Sequence, residues 1–238
     1  MNILTIIFVF TSTLVISSCK SPDLAVSGNA KENRSDLKAT KKQHFRFNQV
    51  IRFGDYYSSK VKRSWPKHSS EFALKFQKKA EQKLSFTQYT PFGKTAAVMA
   101  INHLSNREIK IFKDLFSYSL LHQNTFIGTV IPTNDESKNW NFVIHDPESG
   151  SSNDLKCGMI KDNSDNIIMI NRVKKLKGQS NWVLLDNFGF EFIMNGWTVC
   201  AVSTINNGRI WLKDDIEEDL KLVLASISTA LLVRQSLY

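Results

Sequence analysis

Residues 220–233 read LKLVLASISTALLV, and the rest of the chain has to be read around them. Apart from Lys221 and the small hydroxyl residues Ser226, Ser228 and Thr229, the run is apolar on every side. A helix of that kind has no face to give to water and must be enclosed. Leu and Ala dominate it, which favours helix over strand. Asp214, Asp215, Glu217, Glu218 and Asp219 precede it and Arg234 follows it, so each end carries the charge that the macrodipole prefers. A run of 14 residues falls short of the roughly 20 that cross a bilayer core. The stretch therefore predicts a buried core helix over 215–235. Full burial of its large residues, Leu220, Leu222, Val223, Leu224, Ile227, Leu231, Leu232 and Val233, is worth an upper bound of about 15–20 kcal/mol. Ala225, Ser226, Ser228, Thr229 and Ala230 thin the helix where a wall comes close, and their hydroxyls can bond back to carbonyls one turn earlier.

What could enclose it is legible upstream. Phe45 and Phe47 alternate with His44, Arg46 and Asn48, Tyr56 to Trp65 offers another strand, and Phe72, Leu74 and Phe76 alternate with Ala73, Lys75 and Gln77. Leu84 and Phe86 face one way with Lys83, Ser85 and Thr87 the other, whereas Ala96 to Leu104 is apolar more continuously. Ile109–Phe116, Thr125–Ile131, Trp140–Ile144, Leu155–Ile160, Ile167–Val173 and Trp182–Leu185 follow, separated by groups rich in Asp, Asn, Pro, Ser and Gly. Asn195-Gly196 is the strongest turn signal and predicts a type I′ hairpin. A two-residue loop would pair Met194 with Trp197, Phe192 with Val199 and Phe190 with Ala201, an apolar face that must look inward. That register turns Cys200 and Val202 outward, whereas Cys157, placed with Leu155 and Met159 opposite Lys156, looks inward. Cysteines on opposite faces of a sheet cannot meet disulfide geometry, so free thiols are expected. Asn206-Asn207-Gly208 makes a further turn and Arg209–Leu212 a last strand. About twelve antiparallel strands form a sheet that curls and closes, with a lumen too wide for side chains alone to fill. The expected fold is mainly β, a closed antiparallel barrel of about 12 strands over 43–238 around the C-terminal helix.

The stretch Gly189-Phe190-Glu191-Phe192, Asn195-Gly196, Asn207-Gly208-Arg209-Ile210-Trp211-Leu212 and Leu220 to Val233 resembles the final hairpin and helix of the tubby-like superfamily, which includes tubby C-terminal domains, phospholipid scramblases and LURP-one-related proteins. The resemblance implies a barrel around a hydrophobic helix and a place at membranes. Tubby domains bind phosphoinositide headgroups through basic residues, and no residue of that site is carried over to this chain.

The front of the chain differs in kind. Residues 1–18 hold no charged side chain, Ile3–Ile16 is an apolar core, and Ile16-Ser17-Ser18-Cys19 resembles the lipobox of bacterial lipoproteins. The resemblance implies a signal peptide over 1–18, cleavage before Cys19, palmitate or a similar acyl group on that cysteine, and a stable membrane tether. Lys20 at the next position favours the outer membrane, with the domain facing the periplasm. Residues 19–42, rich in Lys, Asn, Ser, Asp and Ala, read as the lipidated cysteine and a flexible linker.

The formal charge is +9, unevenly spread: residues 20–110 hold 19 Lys and Arg against 7 Asp and Glu, and residues 111–238 hold 12 against 15. For an exported lipoprotein that bias points to anionic lipid or an envelope protein and not to nucleic acid. Lys60, Lys62, Arg63, Lys75, Lys78, Lys79 and Lys83, interleaved with Tyr56, Tyr57, Trp65 and Tyr89, are the candidate surface for anionic headgroups; a solvated lysine face that keeps strand edges apart explains them equally well. The five histidines occur singly, without metal-site spacing, and His145-Asp146 with Ser149 lies in one turn, unlike a triad gathered from separate elements. No catalytic residue, cofactor or metal is expected. The sequence thus points to a non-catalytic, membrane-tethered binding or scaffolding module of the bacterial envelope. The alternative is a carrier of lipid or lipoprotein whose barrel accepts an acyl chain.

Overall fold

The computed structural model describes residues 23–26, 34–40, 48–65, 67–70, 78–104, 124–133, 135, 138–146, 155–178 and 188–234. The signal peptide, Cys19, Lys75 and the strands expected at Phe72–Phe76, Ile109–Phe116 and Trp182–Leu185 lie outside the described residues, as do His44 to Phe47. Within the described residues the strands are β1 (Arg34–Thr40), β2 (Arg52–Phe53), β3 (Tyr56–Ser58), β4 (Lys62–Arg63), β5 (Lys67–Ser70), β6 (Lys78–Tyr89), β7 (Thr95–Leu104), β8 (Asn124–Pro132), β9 (Trp140–Asp146), β10 (Lys156–Asp162), β11 (Ile167–Val173), β12 (Gly189–Met194), β13 (Trp197–Ser203) and β14 (Arg209–Lys213), followed by the helix α1 (Glu218–Val233).

From β6 to β14 each strand pairs with the next; β14 then pairs with β1, β1 with β2, β2 with β3, and β3 returns to β6. Every pairing is antiparallel. The short strands β3, β4 and β5 lie end to end along one edge of β6 and share one place in the ring, so the wall is a closed barrel of twelve strands. At the seam Tyr57 and Tyr89 stack with ring centroids 4.6 Å apart. Where the chain steps between these short strands, serine hydroxyls replace the missing carbonyls: the amides of Thr87 and Lys83 donate to Ser59 Oγ and Ser64 Oγ, each at 2.9 Å.

The lumen holds α1. Leu222 to Val233, twelve consecutive residues, are all buried, as an all-apolar run requires. The helix lies chiefly against β6, β7 and β8, where the inner wall is thinned by Ala96, Ala100 and Gly128. Bulky Phe142, Ile144, Ile160, Ile168, Ile170, Phe190 and Phe192 fill the core across the remaining wall. Ser226 and Ser228 bond back to the carbonyls of Leu222 and Leu224 at 2.7 and 2.6 Å. Thr229 instead donates to Gln88 Oε1 of the wall at 2.7 Å. At the exit Arg234 donates to Asn102 and Asn124 and sits 5.1 Å from the Phe126 ring centroid.

The helix begins at Glu218, three residues later than the sequence suggests. Glu217 makes no side-chain cap, and three neighbouring carboxylates make contacts around the helix entrance. Asp214 accepts from Ser35 at 2.6 Å, Asp215 pairs with Lys213 at 3.1 Å and Asp219 with Lys94 at 2.7 Å.

One β-bulge overturns the expected hairpin register, and a second changes which residues of β10 face inward. Asn195 and Gly196 adopt the left-handed backbone of a type I′ turn, with φ of 51° and 80°, and Met194 faces Trp197. Val199 is then an extra residue, so Phe192 faces Cys200 and Phe190 faces Val202. Cys200 and Val202 therefore look inward, Cys200 Sγ lying 3.5 Å from Ser228 Oγ, while Ala201 looks outward and Trp197 is exposed. A second bulge between Lys156 and Gly158 keeps Cys157 inward but turns Met159 outward and leaves Leu155 exposed. Both thiols are free and buried; the inference that they occupy opposite faces is incorrect.

The linker expectation also fails for part of its length. Arg34–Thr40 is strand β1, with Leu37 and Ala39 against the core. Asp23–Val26 crosses the outside of the wall, where Leu24 is fully buried among Val173, Phe188, Ala201 and Trp211. Tyr56–Trp65, expected as one strand, is broken into β3 and β4.

Candidate functional site

Alternation along β6 fixes which side chains meet water. Gln82, Leu84, Phe86 and Gln88 are buried, and Lys83, Ser85 and Thr87 lie on the other face. The pairing register carries that outward set around the wall. Lys83 faces Ile101, then Ile127, Val143, Met159, Met169 and Ile193 in turn on β7 to β12. An outward row that is apolar across six strands is unusual for an exposed barrel face. Ile127 and Val143 are 3% and 1% exposed, although the register turns both away from the lumen. The next row runs Lys62, Ser85, Met99, Thr129 and Asn141, with Met99 half exposed.

Between β4, β6, β7 and β8 these rows border a groove of about 510 Å³. Met99, Ile101 and Ile127 give it apolar surface, Ser64, Ser85 and Thr129 supply hydroxyls, and Lys62 and Lys83 supply positive charge, while Arg63 lines it from a position whose side chain turns to the inward face beside Leu84. Lys62 is exposed and, among the described residues, has no ion pair. Lys83 lies 3.5 Å from Glu81, with both side chains open to solvent, a contact too screened to hold it against a better partner. Arg63 sits opposite Leu84, donates Nη2 to Gln49 Oε1 at 3.1 Å and leaves Nε without a partner. Burial lowers the pKa of its guanidinium, as expected for a cation short of counter-charge.

This arrangement brings together three of the basic residues singled out in the sequence, Lys62, Arg63 and Lys83, around one groove. Lys60 is exposed in the link between β3 and β4, apart from the groove lining. Lys78 and Lys79 occupy the opposite end of β6, where they pair with Ser70 and Ser69 of β5. The sequence reading missed Met99, Ile101 and Ile127. A signal for them existed: β7 is apolar on both faces, the pattern of a strand covered on both sides. Chemically, an apolar trough edged by ammonium groups suits an amphiphile with an anionic head. Among the described residues no three His, Cys, Asp or Glu side chains come close enough to share a metal ion, and no helix is long and apolar enough to cross a membrane.

Set against protein-family models, curated proteins and solved structures, the chain matches none of them.

Proposed function

We propose that this chain is a lipid-anchored, non-catalytic binding module of the bacterial envelope, tethered through acylated Cys19 to the outer membrane and facing the periplasm, and that its outer groove takes the anionic head and part of the acyl chain of a lipid. The observation that carries this reading is the groove itself, where Lys62 and Lys83 border the apolar surface of Met99, Ile101 and Ile127. Cations alone would suit any anion, and an apolar trough alone any oil; their adjacency selects an amphiphile. The lipobox-like Ile16-Ser17-Ser18-Cys19 supports the tether, and the closure of twelve strands around α1 supports kinship with the tubby-like superfamily.

The alternative, a carrier that admits an acyl chain to the lumen, is disfavoured by the burial of all residues from Leu222 to Val233 there, since a guest would have to displace the helix. The test uses the mature chain carrying Cys19→Ser and a pyrene-labelled phosphatidylglycerol, with a pyrene-labelled phosphatidylcholine as neutral comparison. The wild-type groove binds the anionic probe more tightly, and Lys62→Glu with Lys83→Glu weakens it by about tenfold or more, on the order of 1 kcal/mol per basic residue at a charged lipid surface. Unchanged binding in that variant, or in Met99→Asp, would overturn the groove as the site.

A further inference from the structure

The segment that follows Cys19 is clamped to one rim of the barrel, and this fixes how a tethered barrel can stand on its membrane. Leu24 bridges Leu176, Ala25 N donates to the Lys175 carbonyl at 2.9 Å and Lys177 N to the Asp23 carbonyl at 2.8 Å. The Asp23 carboxylate pairs with Arg209 and lies 3.7 Å from Lys177 Nζ. A Cβ on Gly189 would run into the Val202 carbonyl, so glycine is required there, and Leu24 Cδ1 covers it 2.8 Å from that position. These partners lie just beyond the end of β11 and at the starts of β12 and β14, which is the barrel end opposite the helix entrance.

Only residues 20–22 separate Asp23 from Cys19, and the four steps between them span at most about 14 Å. The acyl group therefore cannot travel far from this rim.

Charge distinguishes the two ends independently. Near the clamp Lys156 and Lys175 are exposed, and Lys177, although paired with Asp23, keeps half of its side chain open to solvent. At the helix entrance Lys94, Lys138, Lys161 and Lys213 each pair with a carboxylate, and Asp55, Asp214 and Glu217 add negative charge there. An anionic leaflet attracts the first end and repels the second.

We propose that the rim formed by the 174–178 link and the β13–β14 turn lies on an anionic bilayer surface, with the acidic helix entrance pointing away, and that the clamp of Asp23–Val26 sets this orientation. The inference rests on the lipid anchor proposed above but not on the groove. The test uses the full lipidated chain in vesicles of phosphatidylethanolamine and phosphatidylglycerol containing a nitroxide-labelled lipid as quencher. A fluorophore is attached at Lys175→Cys in one sample and Phe92→Cys in another; the native thiols are buried. Strong lipid quenching at position 175 with none at position 92 is expected. Adding Leu24→Asp to each should leave the protein on the vesicles while the contrast between positions collapses. Flotation with equal quenching at both positions, or more at 92, overturns the orientation alone. A contrast that survives Leu24→Asp overturns the role of the clamp, and failure of the wild type to float removes the anchor and the orientation with it.

Discussion

The buried hydrogen bond from Thr229 to Gln88 is the most direct probe of whether the helix is fitted to its wall or merely enclosed by it. Thr229→Val keeps the side-chain shape and deletes the donor, leaving Gln88 Oε1 facing an apolar surface with nothing in the hydroxyl's place. Gln88 is itself fixed, since its Nε2 donates to the carbonyls of Tyr57 and Tyr89 at 3.1 and 3.3 Å, so it cannot turn away to find water. An orphaned buried acceptor costs about 1–3 kcal/mol. In a domain of this size each kcal/mol moves the melting temperature by about 2–4 °C, so a fall of about 2–12 °C is expected. Ser226→Ala is the comparison: that hydroxyl bonds only to Leu222 within the helix, and its loss should cost less than about 1 kcal/mol. Urea unfolding followed by far-UV circular dichroism gives both values. If Thr229→Val costs no more than Ser226→Ala at unchanged m, the helix is not keyed to the seam strand and the reasoning fails.

Four further outcomes follow from the same contacts. Burial pushes the Cys200 thiol from 9.0 up to about 12, against an opposing contact from Ser228; between those values only the unfolded chain gives up the proton, so stability falls as pH rises, by up to about 1.4 kcal/mol per pH unit. Tyr56, raised from 10.0 to about 12 by burial and then by Glu218, Asp214 and Asp55, adds to that loss above pH 10, and a urea midpoint in Cys200→Ala that declines as steeply as wild type through about pH 9–10 contradicts the assignment. Deleting residues 20–26 should lower the melting temperature measurably more than deleting 20–22, because only the first removes Leu24; equal melting would show that the clamp contributes nothing. Arg234→Ala frees the helix exit from Asn102 and Asn124 and should speed proteolytic trimming of the C-terminus, read by intact mass. In native-state hydrogen exchange the amides of Thr87 and Lys83, which donate to serine hydroxyls, should exchange faster than that of Val98 in the continuous β7 pairing, and equal rates would count against a weak seam.

How much of this was legible depended on whether a residue's neighbours along the chain carry the information. The helix was legible because an all-round apolar run has only one physical solution, and the Asn195-Gly196 turn because its backbone demands those residue types. The register beyond that turn was not. The bulge at Val199 adds one residue to a strand that is apolar on both faces, so Cys200 and Ala201 exchange sides without any change in local pattern. Arg34–Thr40 reads as linker because RSDLKAT has only Leu37 and Ala39 to bury; its strand form is imposed by β14 and β2 on either side, and tertiary pairing of that kind leaves little trace in composition. The site divides in the same way. Lys62, Arg63 and Lys83 stood out as charge, whereas Met99, Ile101 and Ile127 looked like ordinary core. What separates them from core is the register, which sets Ala100 and Gly128 inward and so leaves Met99, Ile101 and Ile127 facing out. That inward position at 128 is a glycine because a Cβ there would meet Phe142 and the Met99 carbonyl, each at 2.5 Å. Packing of the lumen thus decides the identity of the groove's neighbours, and the apolar floor beside the lysines is a consequence of how the wall closes on its helix.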